Sequence, residues 1–207
     1  MKKLKNYIGQ FRIYSAIDLV ILLIAAHTPA VAIIGALLLN FGFMAHLEMF
    51  HQHPYRQKLP KYLAVALYAL GSVAFYHIEG LFYILWSQLY VLKKDPRWGW
   101  LSPIFRGAQV LFLVAASAGY SSRIAWLAFG LIALRNFIGD LRDVKKDETE
   151  KMRTLPIVLG VKSGVGWAHL LFLIFTSLVW GNIAHLNVFL LLALIIFECF
   201  TYTWTAR

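Results

Sequence analysis

Charge and cysteine are both scarce in this chain of 207 residues. Only 14% of the residues are charged, whereas 60% are hydrophobic and the mean hydropathy is +0.65. A soluble globular domain carries about 25% charged residues, so the composition excludes that class and predicts an integral membrane protein. The only cysteine, Cys199, has no partner for an internal disulfide, which excludes a disulfide scaffold as well.

Acidic residues are half as frequent as basic ones, ten against twenty, and the net charge is +10. The basic residues are spread over short segments beside apolar spans. This distribution is typical of membrane topology, so we expect no nucleic-acid partner. A small-residue cleavage site is also lacking after the basic start of the chain, and we therefore expect the first apolar segment to be retained as a membrane helix.

Apolar windows near the length that crosses a bilayer, about 20 residues, recur along the chain. We predict an all-α polytopic membrane helix bundle of about eight transmembrane helices in a single domain, residues 1–207. The third and fourth windows are interpreted as two helices with a turn near Glu79-Gly80, because basic residues flank both ends of the pair. The windows are 13–27, 30–50, 62–77, 80–92, 103–119, 123–140, 164–181 and 185–204.

The basic residues also predict the orientation of these helices. If the N-terminus, Arg207 and the segments 51–61, 93–106 and 141–162 face inward, only Arg123 of the 20 Lys and Arg residues lies outside. Positive charges concentrate on the cytoplasmic side of membrane proteins. We therefore expect the cell (cytoplasmic) membrane as the location, with the N-terminus and the segment 141–162 on its cytoplasmic face.

The one strongly polar stretch, residues 135–160, contains three closely spaced aspartates. Asp140, Asp143 and Asp147 are spaced i, i+3 and i+7, so they share one face if the preceding helix continues through them. Their mutual repulsion is relieved by a divalent cation, and Mg²⁺ prefers carboxylate and phosphate oxygens. Interleaved basic side chains suit a bound polyphosphate. The alternative is a solvated loop whose mixed charges keep a turn soluble.

The complete stretch resembles the second aspartate motif of the UbiA-type intramembrane prenyltransferases. In that motif an Asp-x-x-Asp-x-x-x-Asp run is followed by Arg-Thr-Leu-Pro and by a Leu-Gly pair. Tyr90 and Lys93 also resemble the family's loop between helices four and five, where a Tyr and a Lys help to hold the diphosphate; the alternative is an interfacial pair. The residues that match the motif are Asp140, Asp143, Asp147, Arg153, Thr154, Leu155, Pro156, Leu159 and Gly160.

The family's first aspartate motif is incomplete at the end of the second window. Asn40 keeps the Asn of the pattern, Phe41 and Met44 stand where the first two aspartates belong, and Glu48 takes the place of the third. No other segment replaces the motif, because the chain's remaining aspartates stand alone. Asn40, Met44 and Glu48 are spaced by four and are therefore expected to form one stripe on a helix.

The resemblance implies transfer of a prenyl group from a prenyl diphosphate to a lipophilic or aromatic acceptor within the membrane, with Mg²⁺ as cofactor. It implies that the aspartates of the second motif hold the metal, with Glu48 as a further ligand. The departure in the first motif favours the alternative, a non-catalytic membrane protein that retains a lipid-diphosphate or metal-binding loop. The residues implied to bind the substrate are Asn40, Arg56, Tyr90, Lys93, Lys146 and Arg153.

Three histidines near Glu48 leave another alternative open. His46, His51 and His53 with a carboxylate form a pattern that transition metals use. The same side chains also suit a polar membrane interface or a contact with diphosphate.

Overall fold

The computed structural model describes residues 8–50, 59–95 and 97–204, and all regular secondary structure within these ranges is helical. Each of the eight predicted windows corresponds to one helix of 13 to 21 residues, with ends within about four residues of the window's ends. The predicted all-α class is therefore confirmed. Over the described ranges the α-helices are α1 (Ile13–Ala25), α2 (Ala30–Phe50), α3 (Lys61–Phe75), α4 (Glu79–Val91), α5 (Ser102–Ala118), α6 (Arg123–Arg142), α7 (Val144–Thr149), α8 (Leu155–Val158), α9 (Ala168–Ile183) and α10 (Val188–Tyr202).

Within the described part of the chain, three helical segments are long and apolar enough to cross a membrane. They are Ala30–Met49, Gly99–Ala118 and Arg123–Arg142. Four further apolar helices, α1, α3, α9 and α10, are shorter. The membrane class is thus supported by helix length and composition, whereas the number of eight spans stays a prediction.

Local sequence signals explain several helix ends. Pro103 lies in the first turn of α5, where its missing N–H is not needed. The same helix ends at Gly119, whose φ of 81° is accessible to glycine without strain. At the start of α10 the Asn187 side chain accepts a hydrogen bond from the Phe189 N–H at 2.9 Å, the usual role of an N-cap asparagine.

The helical conformation is interrupted between α3 and α4, at residues 76–78. Two helices are present, as predicted, and the Gly80 N–H bonds to the His77 carbonyl at 3.0 Å, which places the turn beside the predicted Glu79-Gly80 position. Tyr76 ends α3 in the left-handed conformation, with φ 48°, and its N–H bonds to the Ser72 carbonyl at 3.1 Å. Glu79 is the first residue of α4, where its negative charge complements the helix dipole.

The described residues divide into two compact units. The first unit lies within Met1–Gly80 and Ser177–Arg207, and the second is Leu81–Thr176. In the first unit α2 and α3 form the most extensive helix pair. A Cβ at Gly35 would lie 2.3 Å from the Phe75 backbone nitrogen, and one at Gly71 would lie 2.8 Å from that of Leu39. Because a glycine side chain is a single hydrogen atom, Gly35 and Gly71 let the two helix backbones approach closely, as in membrane helix pairs.

The first unit also contains a buried polar cluster formed by α1, α9 and α10. The Ser177 hydroxyl lies 2.7 and 2.9 Å from the two carboxylate oxygens of Glu198 and 3.3 Å from Asp18 Oδ1. All three residues are fully buried. Asp18 therefore faces a polar group inside the protein, as a carboxylate in an apolar span is expected to do.

In the second unit α5 packs along α6. Two glycines bring loops against the polar stretch. A Cβ at Gly99 would lie 2.9 Å from the carbonyl oxygens of both Lys93 and Arg153, and one at Gly164 would lie 2.6 Å from the Arg142 carbonyl oxygen. Gly99 begins a short 3₁₀ helix, Gly99–Leu101, and another 3₁₀ helix, Leu92–Lys94, precedes it. The close approach at Gly99 brings both segments beside the Arg-Thr-Leu-Pro segment.

Candidate functional site

The helix that precedes the three aspartates does not continue through all of them and ends before Asp143. Helix α6 ends at Arg142, and Asp143 has φ −95° and ψ 10° before α7 begins at Val144. The Asp143 N–H bonds to the carbonyls of Gly139 and Asp140, while the Asp147 N–H bonds to that of Asp143 at 2.9 Å. The condition for three carboxylates on one helical face is therefore not met, because Asp143 is the C-cap of α6 and the N-cap of α7.

Asp140 is surrounded by donors from three segments. Lys93 Nζ forms an ion pair with Oδ1. The Ser102 hydroxyl, at the start of α5, donates to Oδ2 at 2.6 Å, and Asn136 Nδ2 donates to the same oxygen at 3.3 Å. Tyr90 in turn donates its hydroxyl proton to Asn136 Oδ1 at 2.9 Å. Asp140 is buried, and this network fixes its orientation.

Two members of the network, Ser102 and Asn136, were missed by sequence reasoning. Asn136 lies four residues before Asp140 on α6, so the helical period would have placed it on the same face. Ser102 begins the helix after Lys93, and only the packing of α5 on α6 brings it to Asp140. Tyr90 and Lys93, which the sequence predicted, do join the aspartate motif.

Asp143 is held by its neighbour in the chain. Arg142 Nε donates to Asp143 Oδ1 at 2.7 Å, and the same guanidinium lies 3.5 Å from His169 Nδ1. Burial alone would raise the pKa of Asp143, but the hydrogen bonds and charge of Arg142, with smaller effects of Lys93 and Lys146, lower it to about 2. Asp143 is therefore ionised at neutral pH.

Asp147 is the carboxylate with an open position. It is 1% exposed, and its Oδ2 atom has no hydrogen-bond partner among the described residues. Burial raises the pKa of Asp147 to about 6; Lys93 opposes this shift, whereas the charges of Asp140 and Asp143 add to it. Burial of such a carboxylate oxygen costs free energy unless a hydrogen-bond donor or a cation pairs with it.

Lys93 is the common counter-ion of the cluster. Burial would lower its pKa, but Asp140, Tyr90 and Asp147 raise the pKa above the ordinary lysine value. Its ammonium group also lowers the pKa values of Asp143 and Asp147. A single positive charge therefore acts on all three carboxylates of the motif.

The other predicted basic residues lie at the edge of this cluster or beyond it. Lys146 Nζ is 4.0 Å from Glu150 Oε1, and both side chains are about one-third exposed. Arg153 is exposed, and the next residue, Thr154, is fully buried with no hydrogen-bond partner for Oγ1 in the described parts of the chain. Arg56 lies outside the described residues.

The remnant of the first motif lies in the first unit. Asn40, Met44 and Glu48 are all buried on α2, which confirms the predicted stripe. Gln10 Nε2 donates to Glu48 Oε2 at 3.3 Å. Phe41 packs its ring edge against Phe11, with centroids 5.8 Å apart. The roles of Asn40 as a substrate contact and of Glu48 as a metal ligand stay predictions.

The histidine alternative involves mostly undescribed positions. His46 packs against the Tyr68 ring, with centroids 6.3 Å apart. His51 and His53 lie outside the described residues, so the redox-metal alternative stays a prediction.

The carboxylates of the motif fit a divalent cation only after rearrangement. In the described parts of the chain, no three His, Cys, Asp or Glu side chains are already grouped closely enough to hold a metal ion. Asp140 and Asp143 are each engaged by a basic side chain, whereas Asp147 presents a buried oxygen without a partner. That oxygen has the hard chemistry that Mg²⁺ requires.

Comparison of the chain with protein-family models, curated proteins and solved structures found no match in any of the three.

Proposed function

We propose that the protein is a compact UbiA-type intramembrane prenyltransferase that transfers a prenyl group from a prenyl diphosphate to a lipophilic or aromatic acceptor. The observation that carries this proposal is the grouping of Tyr90 and Lys93 with the three motif aspartates in one unit. These residues come from separate parts of the sequence. A merely solvated loop has no need of a half-buried lysine that pairs with one carboxylate and acts electrostatically on two more.

In this proposal Asp140, Asp143 and Asp147 hold Mg²⁺, which supplies charge neutralisation of the diphosphate. Lys93 offers three N–H donors to the phosphate oxygens, and Lys146 and Arg153 add positive charge at the rim. The bond between the prenyl carbon and the diphosphate oxygen breaks with its electron pair on the leaving diphosphate. The acceptor forms the new bond to the allylic carbon and loses a proton, while apolar helices exclude water.

The decisive assay uses the purified protein in detergent with Mg²⁺ and a panel of prenyl diphosphates of increasing chain length. We expect release of inorganic diphosphate that requires an acceptor and stops when the metal is chelated. A chain that binds the prenyl diphosphates in the presence of Mg²⁺ but releases none from any of them would contradict the enzyme proposal.

Such an outcome would favour the second candidate, a non-catalytic membrane protein that binds a lipid diphosphate. The packing of α2 favours this candidate, because two positions of the first aspartate motif are occupied by apolar side chains. Met44 is buried, and Phe41 stacks edge-on against Phe11. Restoring aspartates at both positions separates the candidates, since a gain of diphosphate release would show that only metal ligands were missing.

The proposal also includes eight membrane spans and a cytoplasmic site. The asymmetry of basic residues supports this orientation. A reporter fused after Lys146 should read cytoplasmic, and one inserted at Ser121 should read external. The reverse readings would contradict it.

A further inference from the structure

We propose that the Lys93 ammonium group occupies the cation position of the aspartate cluster and that a divalent cation enters by exchange with it. This inference rests on the proposed function, because it concerns the same aspartates. It adds a role for Lys93 before any diphosphate is present. The lysine is an internal substitute for the metal, and its displacement couples metal binding to diphosphate binding.

The contacts of Lys93 carry the first step of the argument. Its Nζ atom pairs with Asp140 Oδ1, and it interacts electrostatically with Asp143 and Asp147. The Lys93 side chain is only 17% exposed. A cation bridging the same carboxylates would therefore compete with the ammonium group for one position, and two positive charges a few ångströms apart in a buried site repel strongly.

The contacts of Asp140 show which atom is exchanged. Ser102 and Asn136 both donate to Oδ2, so that oxygen stays oriented by neutral groups when Lys93 leaves. Oδ1 is then available to a cation, together with the open Oδ2 atom of Asp147. Movement of this one flexible side chain thus frees Oδ1 of Asp140, whereas Asp143 must also turn away from Arg142 before all three carboxylates can share a cation.

The released ammonium group needs a new anionic partner. Lysine is a flexible point charge with three donors, and a diphosphate offers several acceptor oxygens. Mg²⁺ alone must displace Lys93 into water, whereas Mg²⁺ with diphosphate supplies the lysine with a replacement partner. Metal and diphosphate should consequently strengthen each other's binding, and by linkage the effect is reciprocal.

The first test uses calorimetry to measure Mg²⁺ binding by the wild-type protein and by Lys93→Met. Each protein is titrated with and without inorganic diphosphate. Lys93→Met should bind Mg²⁺ alone at least about tenfold more tightly, because the competitor is gone. Inorganic diphosphate should tighten Mg²⁺ binding by a larger factor in the wild type than in the variant, because only the direct attraction between metal and diphosphate is left in the variant. The matched control is Lys162→Met, which removes an exposed lysine and should behave as the wild type.

The second test uses the unaltered chain and does not depend on folding of a variant. Amine-reactive labelling of each lysine is followed by mass spectrometry. Mg²⁺ without diphosphate should raise the labelling rate of Lys93 severalfold and leave that of Lys162 unchanged. Mg²⁺ bound with unchanged Lys93 labelling, or with no tighter binding by Lys93→Met, would overturn the exchange while leaving the proposed function intact. Failure of both proteins to bind Mg²⁺ or diphosphate would overturn both proposals.

Discussion

The two compact units both bury carboxylates, but they satisfy them with different partners. In the first unit Asp18 and Glu198 meet at the Ser177 hydroxyl. In the second unit the Lys93 ammonium group pairs with Asp140 and acts electrostatically on Asp143 and Asp147, and one oxygen of Asp147 lacks a partner among the described residues. The first arrangement joins three helices through a fixed side chain. The second gathers charge around a group that another cation can replace.

Burial of an acidic side chain therefore does not by itself indicate a ligand site. Removing a partner from a cluster that only joins helices should lower stability and leave binding unchanged. Removing a partner from an exchangeable cluster should change binding with a small or opposite effect on stability. The following predictions test that distinction.

The largest effect is expected for Asp147→Asn. This change removes the open carboxylate and should weaken Mg²⁺-dependent binding of prenyl diphosphate by more than about a hundredfold, since changes to groups that merely orient metal ligands already cost about 10–100-fold. The protein should stay folded, because a neutral amide relieves a buried carboxylate. Calorimetry and a thermal melt in detergent measure both quantities.

The control for this variant is Glu148→Gln, which removes a charge from the exposed neighbouring position. If both variants lose binding equally, the general charge of the segment matters and the open oxygen of Asp147 does not.

Gly99→Ala tests the close approach of the two segments that meet at the site. Its Cβ would lie 2.9 Å from the carbonyl oxygens of Lys93 and Arg153, so one segment must shift. Displacements of about 1 Å can cost up to roughly a hundredfold, and we expect a loss of diphosphate affinity of about tenfold or more. Gly166→Ala is the control, because its Cβ meets nothing within 4 Å. Equal affinities of the two variants would contradict the packing argument.

The pKa of Asp147, about 6, predicts a pH dependence of metal binding. A metal requires the ionised carboxylate, so Mg²⁺ affinity should fall by about tenfold between pH 7 and pH 5. Stability should change in the opposite direction: the folded-state pKa lies above the ordinary value of 3.8, so protonation between pH 6 and pH 4 favours the folded state at this residue. Titrations of Asp147→Asn should lack this dependence.

The smallest effects come from a matched pair of buried serines. Ser102→Ala removes a donor to Asp140 and should weaken Mg²⁺ binding by up to about tenfold. Ser177→Ala removes the hydroxyl between Asp18 and Glu198 and should lower the free energy of unfolding by about 1–3 kcal/mol without changing Mg²⁺ affinity. Identical outcomes for the two variants would remove the distinction between the clusters.

Much of the helical framework was predictable from apolar windows, because hydrophobic length is a local property. The break between α3 and α4 was predicted next to its observed position at residues 76–78, although the left-handed conformation of Tyr76 has no signal in its side chain. Whether α6 continues through Asp143 was left open by the sequence, because the end of a helix depends on backbone geometry that the carboxylate spacing does not specify.

The candidate site was predictable where the motif is continuous and less so where helices meet. The three aspartates, Tyr90 and Lys93 were found from sequence. Ser102 was not, because only the packing of α5 on α6 brings it beside Asp140. Spacing alone also did not indicate that Arg142 engages Asp143 while Asp147 keeps an open oxygen.

The direction of α6 has a consequence for the order of events at the site. The helix runs toward Asp143, so its partly negative carboxyl end points at the aspartates. Both the peptide dipoles and the carboxylates then oppose an approaching diphosphate and attract a cation. We therefore expect a compulsory sequence in which the metal arrives first or as a complex with the diphosphate, and competition kinetics with excess free diphosphate should show no productive binding of the anion alone.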